Sequence, residues 1–270
     1  MTKKKNRKII VILGSKGMLG RQVSHFFDKD YKIIKIDKRI KHKNIEDVIN
    51  KINKLKSSIV INCIGKIKQN KNLEKDIFFS NTILPAYLSM MLAGKHLLIH
   101  PSTDCVFNGK NKIFYKKNSK FNAVDLYGIS KYLAENYLNS RKNTIILRVS
   151  IIGFSNKGGD LLTWALKNKN KKLFGYIDHY WNGITALEWC KIVKTYFHTY
   201  KKKENSKLLQ IGTKKYITKY ELLLIIKKTF NLKYRLIKKK AGYTNRCLKS
   251  DINVKNISNQ ILDLKNYWNL

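Results

Sequence analysis

Lys8-Ile-Ile-Val-Ile-Leu13 runs directly into Gly14-Ser-Lys-Gly17-Met-Leu-Gly20. The unbroken apolar, mostly β-branched content of the first part predicts a strand covered on both faces, as in a parallel sheet. The second part spaces its glycines as GxxGxxG and opens an amphipathic helix from about Met18 to Phe27. Glycines at such a junction permit a tight turn and let backbone N–H groups approach a pyrophosphate, which the helix N-terminus stabilises. The glycine spacing alone is a weak signal. Set between a strand and a helix, it points to a bound dinucleotide lined by Gly14, Gly17, Met18, Leu19 and Gly20.

Downstream, the pattern repeats. A second strand, Tyr31 to Ile36, ends at Asp37, about 20 residues past the glycines, where a carboxylate can accept bonds from an adenosine ribose. Lys38 and Arg39 follow and could instead pair with a 2′-phosphate, so NADH and NADPH both stay open; their alternative is a patch of exposed base. Ile45 to Leu55 has helical periodicity, and Ser58 to Ile64 is a third buried strand whose end, Cys63-Ile64-Gly65, would face the same crevice. A long apolar helix is expected over Ile77 to Leu92, with Asn81 in its first part and a kink or break near Leu84 imposed by Pro85. His96 to His100 forms a fourth strand, and Pro101-Ser-Thr-Asp-Cys-Val-Phe107 leaves its carboxyl end, so Ser102 and Thr103 can reach a substrate. Asn108-Gly109 marks a turn, and Thr144 to Val149 a fifth strand. Five alternations of strand and helix argue an α/β fold with a doubly wound parallel sheet.

Tyr127 to Glu135, YGISKYLAE, carries the chemistry. Tyr127 and Lys131 stand four apart at a helix start and so share a face. An ammonium near a phenol favours the phenolate, and a tyrosine so tuned can exchange a proton with a substrate oxygen near neutral pH. The alternative is a solvated face on a lysine-rich helix.

Beyond Ser150 the alternation loosens. Short elements are expected at Leu161 to Lys167 (helix), Lys171 to Ile177 (strand), Ile184 to Tyr200 (long helix), Leu208 to Ile211 (strand), Lys219 to Phe230 (helix) and Lys233 to Ile237 (strand). With no Pro, Gly or Ser linker, residues 1–150, joined by about 184–212, are expected to make the dinucleotide-binding domain, and 151–183 with 213–270 a smaller substrate-binding region.

Composition narrows the partners. Lys+Arg is 56 against Asp+Glu 17, a formal +39 over 270 residues, yet only seven of the cations are arginine. Such charge suits nucleic acid. The lysines, however, run from Lys3 to Lys265 and travel with Ile and Asn, a bias that AT-rich codons would produce, and Tyr and Phe fall mostly in apolar segments rather than on a stacking face. No nucleic-acid partner is expected; the charge would still attract an anionic cofactor or sugar nucleotide. The four cysteines, Cys63, Cys105, Cys190 and Cys247, are far apart, which suggests neither a zinc site nor a disulfide framework and fits a cytoplasmic protein. No stretch approaches the ~20 apolar residues of a membrane span, and the basic start before Ile9 leads into the glycine loop rather than a signal sequence.

Together, GSKGMLG, STDCVF (Ser102 to Phe107) and YGISK closely resemble the extended short-chain dehydrogenase/reductases, and within them the dTDP-4-dehydrorhamnose reductase group. INCIGKIKQ (Ile61 to Gln69) and LRVSIIG (Leu147 to Gly153) are similar too; the likeness is good from about Lys8 to Ile152 and scattered beyond, at Asn182-Gly-Ile-Thr185 and Asn245-Arg246. The resemblance implies that Tyr127 is the general acid, Lys131 its partner and a ligand of the nicotinamide ribose, and Thr103 the hydroxyl that steadies the substrate carbonyl. It also implies substrate contacts from Asp104, Phe107, Ser150, Asn182 and Arg246, the last gripping a nucleotide diphosphate. The group usually has an aromatic residue where Ile151 follows Ser150, Ser, Ile or Val at Pro101, and Tyr at Cys105. The implied activity is NAD(P)H-dependent reduction of the 4-keto group of a nucleotide-activated 6-deoxyhexose for surface polysaccharide synthesis. A UDP-linked 2-acetamido-2,6-dideoxy-4-keto sugar is a rival substrate, and a noncatalytic NADP-binding regulatory subunit a rival role. A homodimer is compatible with the resemblance; no acidic cluster supports a metal.

Overall fold

The computed structural model describes residues 7–67, 74–156, 158–199 and 207–270. Side-chain alternation along the first strand, β1 (Ile9–Leu13), sets the layers. Ile10 and Ile12 enter one core with Val23, Phe27, Trp189 and Val193, whereas Val11 and Leu13 enter a second with Val48, Ile49, Leu84 and Leu88. Because both faces are covered, the strand has no polar position, which is why it reads as one apolar run.

In chain order the first half comprises α1 (Met18–Phe27), β2 (Lys32–Ile36), α2 (Ile45–Asn53), β3 (Ser58–Asn62), α3 (Glu74–Phe78), α4 (Leu84–Met91), β4 (Leu97–Ser102), α5 (Leu126–Asn139) and β5 (Thr144–Arg148). Next come β6 (Ile151–Ile152), α6 (Leu161–Lys167), β7 (Lys172–Tyr176), β8 (His179–Trp181), β9 (Ile184–Thr185), α7 (Ala186–Thr199) and β10 (Lys207–Gln210). The chain ends with β11 (Ile217–Thr218), α8 (Lys219–Thr229), β12 (Arg235–Lys239), β13 (Thr244–Asn245) and α9 (Ile257–Tyr267). Six strands form one sheet in the order β10-β5-β4-β3-β1-β2, every pair parallel. The expected doubly wound α/β architecture is therefore present. Its order reverses between β1 and β3, and ligand crevices open at the carboxyl ends of strands on either side of such a reversal.

Several elements differ from the expectations. The helix expected over Ile77 to Leu92 is three segments: α3, a π-helical turn at Phe79–Ile83, and α4 with Pro85 in its first turn. Proline lacks an N–H and crowds the preceding turn, and the widened turn absorbs that conflict. Ile184 and Thr185, read as the start of a long helix, instead pair with Ile151 and Ile152, and the helix begins at Ala186. Both strands are only two residues long, too short for a periodicity to register. The last helix, α9, and the three-stranded sheet β11-β8-β13 were not expected at all. A third core, with Leu162, Trp181, Leu222, Ile226, Tyr234 and Ile261, underlies this smaller region.

Candidate active site

The cofactor end is shaped by missing side chains. Gly14 has φ +78°, a left-handed conformation that favours glycine, and a Cβ there would come 2.8 Å from Ile64 at the end of β3. A Cβ on Gly20 would come 2.2 Å from the Gly14 carbonyl, so any side chain would push α1 off the loop. At Gly17, the N-cap of α1, a Cβ would meet only the Gly14 carbonyl at 3.6 Å, and no acid occupies the helix's first turn. The N–H groups of Met18, Leu19 and Gly20 are thus free of an acidic competitor, as an anion site at a helix start requires. Beyond β2, the Ser15 hydroxyl donates to Asp37 Oδ1 at 2.6 Å, which ties the ribose-binding candidate to the glycine loop. Arg39 and Lys66 both reach Asp76, at 2.7 Å and 3.3 Å, while Lys38 is exposed.

The chemical centre lies where β4 ends and α5 begins. Asp125 caps α5 by accepting from the Gly128 N–H at 2.9 Å. A Cβ on Gly128 would sit 2.1 Å from the Cys105 carbonyl, so glycine here lets the first turn of the helix lie against the loop after β4. That approach brings the Tyr127 phenol near enough to Thr103 for the threonine hydroxyl to influence its titration. Thr103 Oγ1 also donates to Asp104 Oδ1 at 3.1 Å and accepts from the Cys105 N–H at 3.2 Å. Lys131, 5% exposed, donates to the Pro101 carbonyl at 2.8 Å. A Cβ on Gly65 would stand 3.8 Å from its ammonium, so the amine overlooks the end of β3.

The tuning of the phenol runs opposite to the expectation. Burial, followed by the Cys105 thiol, pushes the Tyr127 phenol well above its ordinary pKa, and the Thr103 hydroxyl opposes this. The Lys131 ammonium donates to the Pro101 carbonyl, and burial lowers its own pKa to about 8 despite Glu135 and Cys63 nearby. A phenol that stays protonated suits a proton donor, not a base. Cys63 is an inert wall, its thiol pushed up to about 12 by burial.

Two substrate candidates prove architectural. Asn182 gives both amide hydrogens to the Thr213 and Leu248 carbonyls, at 3.0 Å and 2.9 Å, and accepts from the Leu248 N–H at 3.0 Å, so its donors are spent on tying chain segments together. Phe107 is 1% exposed and stacks on Tyr115 at 4.1 Å in a small core of its own; only its carbonyl takes part, accepting from Arg246 Nε at 2.8 Å. Ser150 accepts from Trp181 Nε1 at 2.8 Å and keeps its own proton available.

Other positioning roles were not evident from the sequence. Asn81, in the π-helical turn and fully buried, accepts from the Lys66 N–H at 2.8 Å and donates to the Lys66 carbonyl and Ser130 Oγ, both at 3.0 Å. It fastens the loop after β3 to the helix that carries Tyr127 and Lys131, and an interrupted helix next to a proline is the signal that could have found it. Glu135 and Arg148 form a buried ion pair, with Ser102 donating to Glu135 at 2.7 Å and Arg148 to Gln210 at 2.8 Å. Among the described residues, no group of His, Cys, Asp or Glu is placed to hold a metal ion, and no helix is long and apolar enough to cross a membrane.

A doubly wound sheet with a glycine-lined crevice and a Tyr-x-x-x-Lys helix beside it defines the class as that of the extended short-chain dehydrogenase/reductases. The family described as RmlD substrate binding domain matches residues 7–240, and the chain belongs to it. Among solved structures, a dTDP-4-dehydrorhamnose reductase from Clostridium acetobutylicum superposes with TM-score 0.80 at 17% identity, covering 97% of this chain and 100% of that one. The corresponding reductase from Bacillus anthracis, in complex with NADP, gives TM-score 0.80 at 16% identity over 97% and 99% of the two chains. The dTDP-glucose 4,6-dehydratase of the same organism, in complex with NAD, gives 0.74 at 15% identity over 97% and 96%. Comparison with curated proteins by sequence returns no match.

Proposed function

We propose that this protein is an NAD(P)H-dependent oxidoreductase that reduces the 4-keto group of a nucleotide-activated 6-deoxyhexose destined for surface polysaccharide. The observation that carries the reading is the close seating of the α5 start, with Tyr127 and Lys131, against the loop after β4 that holds Thr103, while the Lys131 ammonium overlooks the end of β3 and the glycines after β1 leave room for a dinucleotide. The relatives crystallised with NADP and NAD support the cofactor class. Residues 1–150 with 184–212 would hold the cofactor, and 151–183 with 213–270 would close over the sugar nucleotide.

Gly14, Gly17, Met18, Leu19 and Gly20 would face the cofactor pyrophosphate, Asp37 its adenosine ribose, and Lys131 its nicotinamide ribose. The reduced nicotinamide supplies hydride for the sugar's C4. Thr103 donates to the carbonyl oxygen and fixes its orientation. Tyr127 delivers its proton to the same oxygen as negative charge develops there, and the Lys131 cation offsets that charge. Because Lys131 is lowered to about 8, kcat should be level below that pH and fall above it as the cation is lost.

Stopped-flow oxidation of NADH and NADPH against a panel of dTDP- and UDP-linked 4-keto sugars tests the assignment and ranks the two sugar classes. Cofactor binding without turnover of any of them would favour a noncatalytic subunit, and a Tyr127→Phe variant as fast as wild type would end the catalytic role.

A further inference from the structure

Lys219 differs from the other lysines that have settled partners. Lys191, Lys194 and Lys255 pair with surface carboxylates. Lys219 is half-buried, and among the described residues no oxygen accepts from its ammonium, which instead lies 5.1 Å from the centre of the Trp181 ring. Its place is fixed by two local structures. Ile217 pairs with Trp181 across β11 and β8, and Thr218 and Glu221 form a reciprocal cap at the start of α8, so the first helical residue projects beside the indole.

Trp181 donates to Ser150, and the Lys219 ammonium feels the charges of Asp104 and Arg246, so it faces the loop that carries Thr103. Burial lowers its pKa, with Asp104 the largest influence opposing that. Arg246 is aimed at the same place. Its Nε and Nη2 donate to the Phe107 and Asn108 carbonyls, at 2.8 Å and 3.4 Å, and Nη1 has no partner among the described residues. Two cations with donors unused among the described residues thus stand near a single carboxylate, that of Asp104 next to Thr103. A half-buried ammonium with no protein oxygen to accept from it is well suited to the oxygens of an anion. To displace the influence of Asp104 the anion should carry more than one charge.

We infer that Lys219 is a specificity-determining residue that, opposite Arg246, holds the diphosphate of the nucleotide-activated substrate. This rests on the reading that the cleft takes a sugar nucleotide. The indole beneath keeps the cation in place through its ring face while no ligand is bound. The cofactor's own pyrophosphate is met at the glycine loop, so Lys219 should leave cofactor affinity untouched.

Calorimetric titration of the full chain, saturated with NADH, with UDP, dTDP, uridine and thymidine tests this. Lys219→Met is expected to weaken nucleoside diphosphate binding about 10–100-fold, the range for a hydrogen bond to a charged group, while leaving nucleoside binding and the NADH Kd unchanged. KM for the sugar nucleotide should rise by the same factor with kcat within about twofold, and Lys219→Arg should restore most of the loss. In wild type the diphosphate affinity should also decline at alkaline pH, a decline that Lys219→Met abolishes. An unchanged preference for diphosphate over nucleoside in Lys219→Met would overturn the inference while wild-type turnover upheld the enzymatic reading. Wild-type protein that binds NADH but no nucleoside diphosphate would overturn the sugar-nucleotide reading and this inference with it.

Discussion

The two ends of the cleft are built by opposite means. The cofactor end is made by subtraction: Gly14, Gly17, Gly20 and Gly65 withhold side chains so that backbone can line the space. The end proposed for the substrate is made by addition, with Lys219, Arg246 and Asp104 brought from three distant parts of the chain near one another. The first kind of site depends on local geometry and tolerates change in everything except its small residues. The second depends on tertiary packing, so specificity can be altered there without disturbing the cofactor.

Tyr127 lies where the two ends meet, and its loss should have the largest effect. Tyr127→Phe is expected to lower kcat about 10²–10⁴-fold, the usual contribution of a positioned proton donor, with NADH affinity unchanged in a fluorescence titration. Equal loss of cofactor binding would mean that the ends are not separable. Next is the wall behind both. Arg148→Met leaves Glu135 buried at 3% exposure without its cation, and urea unfolding should register a loss of about 3–5 kcal/mol. A Glu135→Leu/Arg148→Met double variant should recover most of it, because a hydrophobic replacement removes the unpaired charge.

Gly128→Ala sharpens the comparison, because here a missing side chain serves the substrate end. Its Cβ would meet the Cys105 carbonyl at 2.1 Å, tilting Tyr127 away from Thr103 and lowering kcat about 10²-fold. Two buried histidines set a smaller, pH-dependent effect. Burial lowers His96 to about 4 and His100 well below its ordinary value, with Lys131 adding to the latter. Below the unfolded pKa near 6.5 the unfolded chain binds more protons, so stability should fall as pH drops from about 6.5 toward 4, by up to about 1.4 kcal/mol per pH unit for each group. Thermal melts of wild type and His96→Asn across that range should differ in slope. The smallest effect is expected at Asp76, whose exposed pairs with Arg39 and Lys66 are weak. Asp76→Asn frees both cations for a 2′-phosphate and should improve NADPH binding about two- to fivefold, leaving NADH alone.

Much of the cofactor end was legible in the sequence, because a strand, a glycine turn and a helix in succession are a local pattern, and Lys8 to Gly20 contains all of it. The placement of Thr103 just after β4 and of Tyr127 and Lys131 at the start of α5 was also legible, from the STD and YGISK stretches. The direction of the tyrosine's tuning was not, because the spacing of Tyr127 and Lys131 puts them on one face but does not say that the amine bonds Pro101. Asn182 looked available because its saturation by Thr213 and Leu248 is visible only once chain segments more than 30 residues apart are folded together. Lys219 was hidden by its company, being one lysine among many, and what distinguishes it is a half-buried ammonium over the Trp181 ring within the influence of Asp104 and Arg246.

The return of the chain to the sheet as β10 has a practical consequence for engineering. The segment holding Ser150 and Trp181 leaves the sheet after β5, and the one holding Lys219 and Arg246 leaves it after β10. A chimera meant to transplant sugar preference from a relative would therefore need two grafted segments and three splice junctions. It would also have to carry Asp251, whose carboxylate accepts from the Gln210 N–H at 2.9 Å and would otherwise be lost at the second graft.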